Sequence, residues 1–329
     1  MSSEQVGEPT SLAFAIEKDE KLLSFIKQRW SPELALSDAK TCDPMTLPIA
    51  DIWLGGPPCY PFCQGGSLEG LEHPDGPLVF RMVECLETLV EKDGPKPKAM
   101  LLENSPNIAQ KFRDVVFKPM RKRLKRIGYK VTAKKLCTKD HGVPQNRERL
   151  YLLAYRPALG RQFKWPKKLP HCIPVRKLLK RKDRKTISAP VRTEAHKTRI
   201  EDAIESAKSY GYQPTKQHIF VDIDCSAKFA NWRAEECMTL TRARAMAGGY
   251  YVTSLKRRTD TEEMMHLQGI SSHSLGDWVP HLSRTDMNAA VGNAMSVNVV
   301  VKVLEQALRA VGWADAMQHR SAGSAVGVV

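Results

Sequence analysis

The chain is predicted to be an α/β protein: a mostly parallel sheet with helices between its strands, joined to a smaller, irregular and basic lobe. Three observations predict this. Apolar runs of strand length alternate with helical patterns through the first half of the chain. Two of those runs, LPIADIWL (47–54) and AMLLE (99–103), are apolar at nearly every position, as strands covered on both faces are. The positive charge is also concentrated: residues 156–260 hold 24 Lys and Arg against 10 Asp and Glu, within a 329-residue chain whose net charge is +15.

The elements follow in order. Residues 11–17 (SLAFAIE) read as a strand, and Asp19 opens a helical pattern through Leu22, Leu23, Phe25 and Ile26 to Trp30. The strand at 47–54 runs into the loop Gly55-Gly56-Pro57-Pro58. Residues 77–93 form a helix with Leu78, Met82, Val83, Leu86, Leu89 and Val90 along one stripe. After the strand at 99–103, residues 108–127 form a basic amphipathic helix that stops at Gly128. YKVTAKKL (129–136) and RLYLLAY (149–155) are two further strands.

Periodicity fades after Tyr155. Residues 156–192 are rich in Lys, Arg and Pro, followed by a helix near 199–209 and a strand at 218–224. Ordinary patterning resumes near residue 259 with a capped helix in TDTEEMMHLQGI, then a helix at 295–311. The tail SAGSAVGVV reads as disordered. The expected organisation is a catalytic domain at 1–155, a basic lobe at 156–258, a return to the catalytic domain at 259–318 and a tail at 319–329.

Composition narrows the function class. Hydrophobic content of 42% and charged content of 26% suit a soluble globular protein. No run of eighteen apolar residues suggests a membrane span, and MSSEQVGEPT has no signal-peptide character. The expectation is an intracellular protein: nuclear in a eukaryote, cytoplasmic if bacterial or viral. Eight cysteines include no CxxC pair, and no zinc-like His/Cys cluster appears, so no metal is expected. The default for each cysteine is a small buried apolar residue. The localised charge suits a phosphate backbone, although a solvated basic face has the same composition.

Five segments carry chemistry in colinear order. They are Gly55-Gly56-Pro57-Pro58-Cys59-Tyr60-Pro61-Phe62-Cys63-Gln64-Gly65-Gly66, Leu102-Glu103-Asn104, Gln145-Asn146-Arg147-Glu148-Arg149, the stretch Arg257 to Gly269 ending Leu267-Gln268-Gly269, and Gly292-Asn293-Ala294. Each alone is weak; in this order the sequence resembles the cytosine-C5 DNA methyltransferase family over residues 11–311. The resemblance implies a Rossmann-like, S-adenosylmethionine-dependent methyltransferase sheet carrying a target-recognition lobe.

It also implies roles that the chemistry demands. C5 of cytosine is not nucleophilic until a thiolate adds to C6. Cys59 would be that nucleophile, and Glu103 would hold the N3 proton. Arg147 and Arg149 would contact the base oxygen and nearby phosphates, while Asn104 braces the loop. For the donor, S-adenosylmethionine, Glu17 matches the ribose carboxylate and Asp38 the adenine-side one, with Pro58, Leu78 and Asn293 lining the site. The partner would be duplex DNA with a flipped cytosine, or RNA in the alternative; a monomer is expected.

The chain departs from the family in one major respect. The Phe-x-Gly-x-Gly loop that cradles the donor's methionine end should precede Glu17 by about twenty residues, yet only sixteen residues stand there and Gly7 is their sole glycine. A sheet lacking that central strand would have open edges and bind the donor weakly or not at all. Smaller departures are Cys63 for the usual Ser or Thr, Tyr60 for Gln and His266 for Arg.

The lobe holds CMTLTRARAMAGGYYVTSLKRR (237–258), where Arg242, Arg244, Tyr250, Tyr251 and Gly248-Gly249 suit a loop that meets base edges. Lys180-Arg181-Lys182-Asp183-Arg184-Lys185 fits a nuclear localisation patch or phosphate contact equally well. Two rivals stay open beside the DNA (cytosine-5-)-methyltransferase reading. One is a tRNA-directed enzyme of the same fold, and the other is a non-catalytic relative that grips nucleic acid after losing donor binding.

Overall fold

The computed structural model describes residues 10–180, 189–225, 231–271, 282–313 and 324–328. They fall into two units: residues 1–136, 148–167 and 300–329, and residues 137–147 with 168–299.

The first unit is built on a seven-stranded sheet. Its strands are β1 (Thr10–Ile16), β2 (Leu34–Leu36), β3 (Ile52–Gly55), β4 (Ala99–Asn104), β5 (Lys130–Cys137), β7 (Glu148–Tyr155) and β13 (Ser324–Val328), and β6 (Gln145–Asn146) belongs to the other unit. The order across the sheet is β2-β1-β13-β3-β4-β7-β5. Every residue of β3 and β4 is buried, which is why both read as unbroken apolar runs. Helices α1 (Glu20–Trp30), α2 (Arg81–Glu91) and α3 (Lys118–Arg126) connect the strands. Asp19 caps α1 by accepting from the Lys21 and Leu22 N–H groups. In α2 the predicted stripe is buried at Met82, Val83, Leu86 and Leu89. These side chains share one core with Phe14, Trp53, Met100 and Leu124. Phe14 meets Trp53 edge-on at 5.6 Å.

Two predicted helices are shorter than expected. Residues 76–80 form a 3₁₀ turn ahead of α2, and the span predicted as one helix at 108–127 starts in a 3₁₀ turn at Pro106–Ala109, continues as a π-helical segment at Arg113–Phe117 and becomes α-helical only at Lys118. Pro77 and Pro119 lie in the first turns of these segments, where a missing N–H is tolerated; further inside a helix it is not. Gly128 ends α3 with φ +90°, as predicted.

The expectation of a disordered tail, and of a sheet lacking its central strand, is corrected at residues 324–328. Residues 319–323 of that tail lie outside the described residues. Strand β13 lies between β1 and β3 and is parallel to both, with Val326 opposite Leu12 on one side and Ile52 on the other. Numbered from β13, the first five strands read 3-2-1-4-5 across the sheet, the doubly wound order. Strand β13 thus fills the central slot of that order. A five-residue stretch of small and β-branched residues has too little pattern to be legible alone. It becomes a strand because β1 and β3 offer it two open ladders.

The second unit holds a four-stranded antiparallel sheet ordered β12-β11-β8-β9, made of β8 (Ile219–Val221), β9 (Trp232–Ala234), β11 (Tyr251–Val252) and β12 (Arg257–Arg258). Helix α4 (Glu194–Ser209) packs Ala203 and Ala207 against Ile219, Val221 and Tyr251. Helix α6 (Thr261–Leu267) opens with the predicted cap: the Asp260 side chain accepts from the Glu263 N–H, and the Glu263 carboxylate accepts from the Asp260 N–H.

The boundaries predicted at 155 and 258 move. Residues 137–147 join the second unit because β6 pairs with β10 (Cys237–Met238), the Gln145 side chain accepts from the Leu240 N–H, and Asn298 donates to the Thr138 and His141 carbonyls. Residues 259–299 also group there. Residues 156–167 stay with the first unit, where the Ala158 N–H donates to the Ala310 carbonyl and Arg161 to that of Arg309. The basic run at 181–185 lies outside the described residues. No single helix among the described residues is long and apolar enough to cross a membrane.

Candidate active site

Strand β3 delivers its chain into the loop carrying Cys59. A 3₁₀ turn at Tyr60–Phe62 follows, with Cys59 at its amino end and Cys63 at its carboxyl end. The Phe62 N–H donates to the Cys59 carbonyl at 2.9 Å, and the Gly66 N–H to that of Cys63 at 3.0 Å. The fully buried Phe62 ring wedges the turn against Phe112, with centroids 5.2 Å apart. Residue 66 has to be glycine: a Cβ there would lie 2.0 Å from the Tyr60 carbonyl oxygen. Asn104 Nδ2 donates to the Pro57 carbonyl and Asn107 Nδ2 to that of Phe62, each at 2.9 Å. Asn104 therefore braces the loop.

Glu103 sits one residue before the end of β4 with 6% of its surface exposed. Strand β7 runs antiparallel to β4, so its first residues arrive beside β4's carboxyl end. This brings Arg149 Nε to 3.3 Å from Glu103 Oε1. Cys59 lies within the electrostatic reach of both: Arg149 favours its thiolate and Glu103 opposes it. The Cys59 thiol, the Glu103 carboxyl group and the Arg149 guanidinium thus converge where β3 and β4 end.

The Cys59 thiol is hydrogen-bonded to that of Cys63. This bond, followed by burial, pushes Cys59 far above the usual thiol range. The same bond lowers Cys63 to about 6, helped by Arg149 and by the backbone N–H groups of Gly65 and Cys63 and opposed by burial. Sequence reasoning treated Cys63 as packing; its spacing of four from Cys59 was the signal that a one-turn loop joins them.

Arg147 was expected at the base oxygen and nearby phosphates. It belongs to the second unit and is only 4% exposed, with Nη1 donating to the Leu240 carbonyl at 2.8 Å and Nη2 to that of Ala294 at 3.0 Å. The break between β6 and β7 falls at Arg147, so the i, i+2 spacing to Arg149 does not put the two side chains on one sheet face.

Of the residues expected to line the donor site, Glu17, Asp38 and Pro58 follow strands of the first unit's sheet. Glu17 directly follows β1 and accepts from the Asp19 N–H; Asp38 lies two residues beyond β2 and accepts from the Lys40 N–H; Pro58 follows β3. Their strands are consecutive in the order β2-β1-β13-β3, so all three lie along one carboxyl edge. Leu78 lies on the turn before α2, half-buried. Asn293 ends α7 (Arg284–Asn293) in the second unit and is exposed. Two carboxylates at adjoining strand ends fit the ribose hydroxyls and adenine amine of S-adenosylmethionine. The glycine cradle for its methionine end has no counterpart among the described residues. Nor do those residues include three His, Cys, Asp or Glu side chains grouped to hold a metal.

In the basic lobe, several residues expected at base edges are structural. Arg244 Nε donates to Asp222 at 2.7 Å, and buried Tyr250 donates its hydroxyl to the Thr239 carbonyl. Gly248 and Gly249 have φ of +99° and +75°, and a Cβ on Gly249 would lie 2.0 Å from Thr259 Oγ1. Arg242 remains exposed at the start of α5 (Arg242–Met246).

The sequence pattern of the family described as C-5 cytosine-specific DNA methylase matches residues 1–309. The type II methyltransferase M.NgoBI of Neisseria gonorrhoeae is 29% identical over 272 residues, covering 82% of this chain and 77% of that protein. The type II methyltransferase M.Bsp6I of Bacillus sp. (strain RFL6) is 25% identical over 310 residues, 89% of each chain. Among solved structures, the Dnmt2 methyltransferase of S. pombe aligns with a TM-score of 0.63 over 94% of both chains at 16% identity, a likeness of fold.

Proposed function

The chain belongs to the family of C-5 cytosine-specific DNA methylases, and from that premise we propose that it methylates C5 of a cytosine extruded from duplex DNA, through a covalent bond between Cys59 and C6. The observation that supports this reading best is the meeting of Cys59, Glu103 and Arg149 at one end of the sheet. S-Adenosylmethionine supplies the methyl group, and Glu17 and Asp38 would hold its ribose and adenine. Cys59 Sγ bonds to C6, and the displaced ring electrons gather toward C5. Glu103 holds a proton at N3, which stabilises the added ring. Arg149 steers the Glu103 carboxyl group and reaches the base oxygen.

Trapping with 5-fluorocytosine tests this reading. The fluorine at C5 cannot leave as a proton, so the enzyme stays bonded to the base after methyl transfer. Duplex DNA carrying that base, with donor present, should yield a covalent adduct; tRNA carrying it should not. An adduct on tRNA alone would move the substrate to RNA. Salt-sensitive DNA retention with no adduct would identify a binding protein without turnover.

The charge of residues 156–260 also predicts steep salt dependence. If six to ten phosphates are neutralised, affinity for DNA falls about 10³- to 10⁵-fold between 50 and 200 mM salt. Fluorescence anisotropy with a labelled duplex measures it, and a flat response would remove nucleic acid as the partner.

A further inference from the structure

The geometry points to Arg81 as the residue that sets the adenine slot of the donor site, by tying together the two stretches of chain that form its walls. The inference rests on the methyltransferase reading, in which Asp38 meets the adenine amine and Leu78 lines the slot.

Asp38 stands on a loop, beyond the end of its strand. Strand β2 ends at Leu36, and the chain next takes regular form in a 3₁₀ turn at Pro44–Thr46. Within the loop Asp38 Oδ1 accepts from the Lys40 N–H at 2.8 Å, and Thr41 Oγ1 donates to the Asp38 carbonyl at 3.4 Å. These bonds shape the turn locally and leave its position against the sheet unset. Arg81 sets it. Its Nε donates to the Ala39 carbonyl at 2.7 Å, and its Nη2 donates to the carbonyl of buried Cys42. Two carbonyls three residues apart are thus held by one planar fork, which the single ammonium of a lysine cannot reproduce. Nη1 faces Glu84, one turn along α2, at 3.4 Å.

The other wall depends on the same residue's main chain. Arg81 opens α2 directly after the 3₁₀ turn at Gly76–Phe80, and its N–H donates to the Leu78 carbonyl. One residue therefore holds Leu78 by its backbone and the Asp38 loop by its side chain. Lys40 adds a second tie, from Nζ to Asp75 Oδ1 and to the Pro74 carbonyl, each at 3.3 Å. That pair is partly exposed and contributes little.

A loop fixed before the ligand arrives spares the cost of ordering it on binding. Arg81 touches neither the base nor the reacting atoms. It acts through Asp38 and is a positioning residue, and its effect should be confined to recognition of the adenine.

The test is calorimetric titration of the full chain with two compounds, without DNA or turnover. One is S-adenosylhomocysteine, the demethylated donor; the other is S-inosylhomocysteine, in which a carbonyl oxygen replaces the adenine amine. The wild-type protein should prefer the adenine compound by about 10-fold or more, the worth of a hydrogen bond to a charged group. In Arg81→Ala that preference should fall close to parity, with affinity for the inosine compound little changed. Asp38→Ala should show the same loss, and the double variant should bind no more weakly than Asp38→Ala alone, because both residues act through one contact. Arg81→Lys keeps the charge without the fork. It should lose the preference too, and it carries the test if thermal melting shows Arg81→Ala to be unfolded.

Equal weakening of both compounds, or a preference retained in a folded Arg81 variant, would make Arg81 mere scaffold and overturn the inference while the donor reading stands. A wild-type protein that binds both compounds equally would remove Asp38 from the adenine, and one that binds neither would remove the donor site. Either result overturns the inference together with the reading beneath it.

Discussion

Cys59→Ala should abolish the covalent adduct and lower methyl transfer by about 10⁴- to 10⁶-fold, the range seen when enzymes lose an essential nucleophile. Fold and DNA retention should survive. The substitution removes one sulfur at a strand end, and the loop is held by Phe62, Asn104 and Asn107 through contacts that do not involve that atom. Glu103→Gln provides the contrast. It keeps the volume at a site that is 6% exposed and leaves an amide oxygen facing Arg149. It loses the ability to hold and release a proton at N3, a loss of about 10²- to 10⁴-fold. Gel analysis with 5-fluorocytosine DNA separates the two variants: Glu103→Gln forms the adduct slowly, and Cys59→Ala never does. Undiminished transfer by Cys59→Ala would end the covalent reading, whatever the other residues do.

Val326→Pro should destabilise the protein by about 3 kcal/mol or more, through a lost ladder hydrogen bond and a neighbouring carbonyl left unpaired. Strand β13 is flanked by β1 and β3, with Val326 opposite Leu12 and Ile52, so neither side of it faces solvent as a sheet edge would. At about 2–4 °C per kcal/mol for a chain of roughly this size, the midpoint of thermal unfolding drops by about 6–12 °C. Ending the chain before Ser324 should do more, because it opens two parallel edges at the middle of the sheet. Donor affinity, read by calorimetric titration, should fall in both variants, because β13's carboxyl end lies between the strands that carry Glu17 and Pro58. Hydrogen exchange on the unmodified protein gives an independent reading. Amides 325–328 should exchange with the rest of the sheet, and immediate exchange together with an unchanged melting midpoint would mean that the tail is detached.

Much of the site was legible in the residues. LPIADIWL and AMLLE announced two buried parallel strands, and ligand-binding residues in such sheets gather beyond the carboxyl ends. Cys59 and Glu103 follow from that rule, and their meeting with Arg149 needed only β7 to return antiparallel beside β4. The bonds that Arg147 makes to the Leu240 and Ala294 carbonyls were not legible, because those partners are about 90 and 150 residues away in the chain. Arg244 and Tyr250 were misread for a related reason. An arginine or tyrosine in a basic stretch looks available until Asp222 or the Thr239 carbonyl is seen to hold it.

The sequence by itself determined the family, the alternation of strands and helices, the loop bearing the nucleophile and the region of positive charge, because each is written in local order and composition. Only the tertiary structure decided that residues 324–328 complete the sheet and that Arg149 stands at the Glu103 carboxylate. Both depend on groups far apart in the chain. Hydrogen-bond ladders and ion pairs have ranges of a few ångströms, and folding alone brings their members that close.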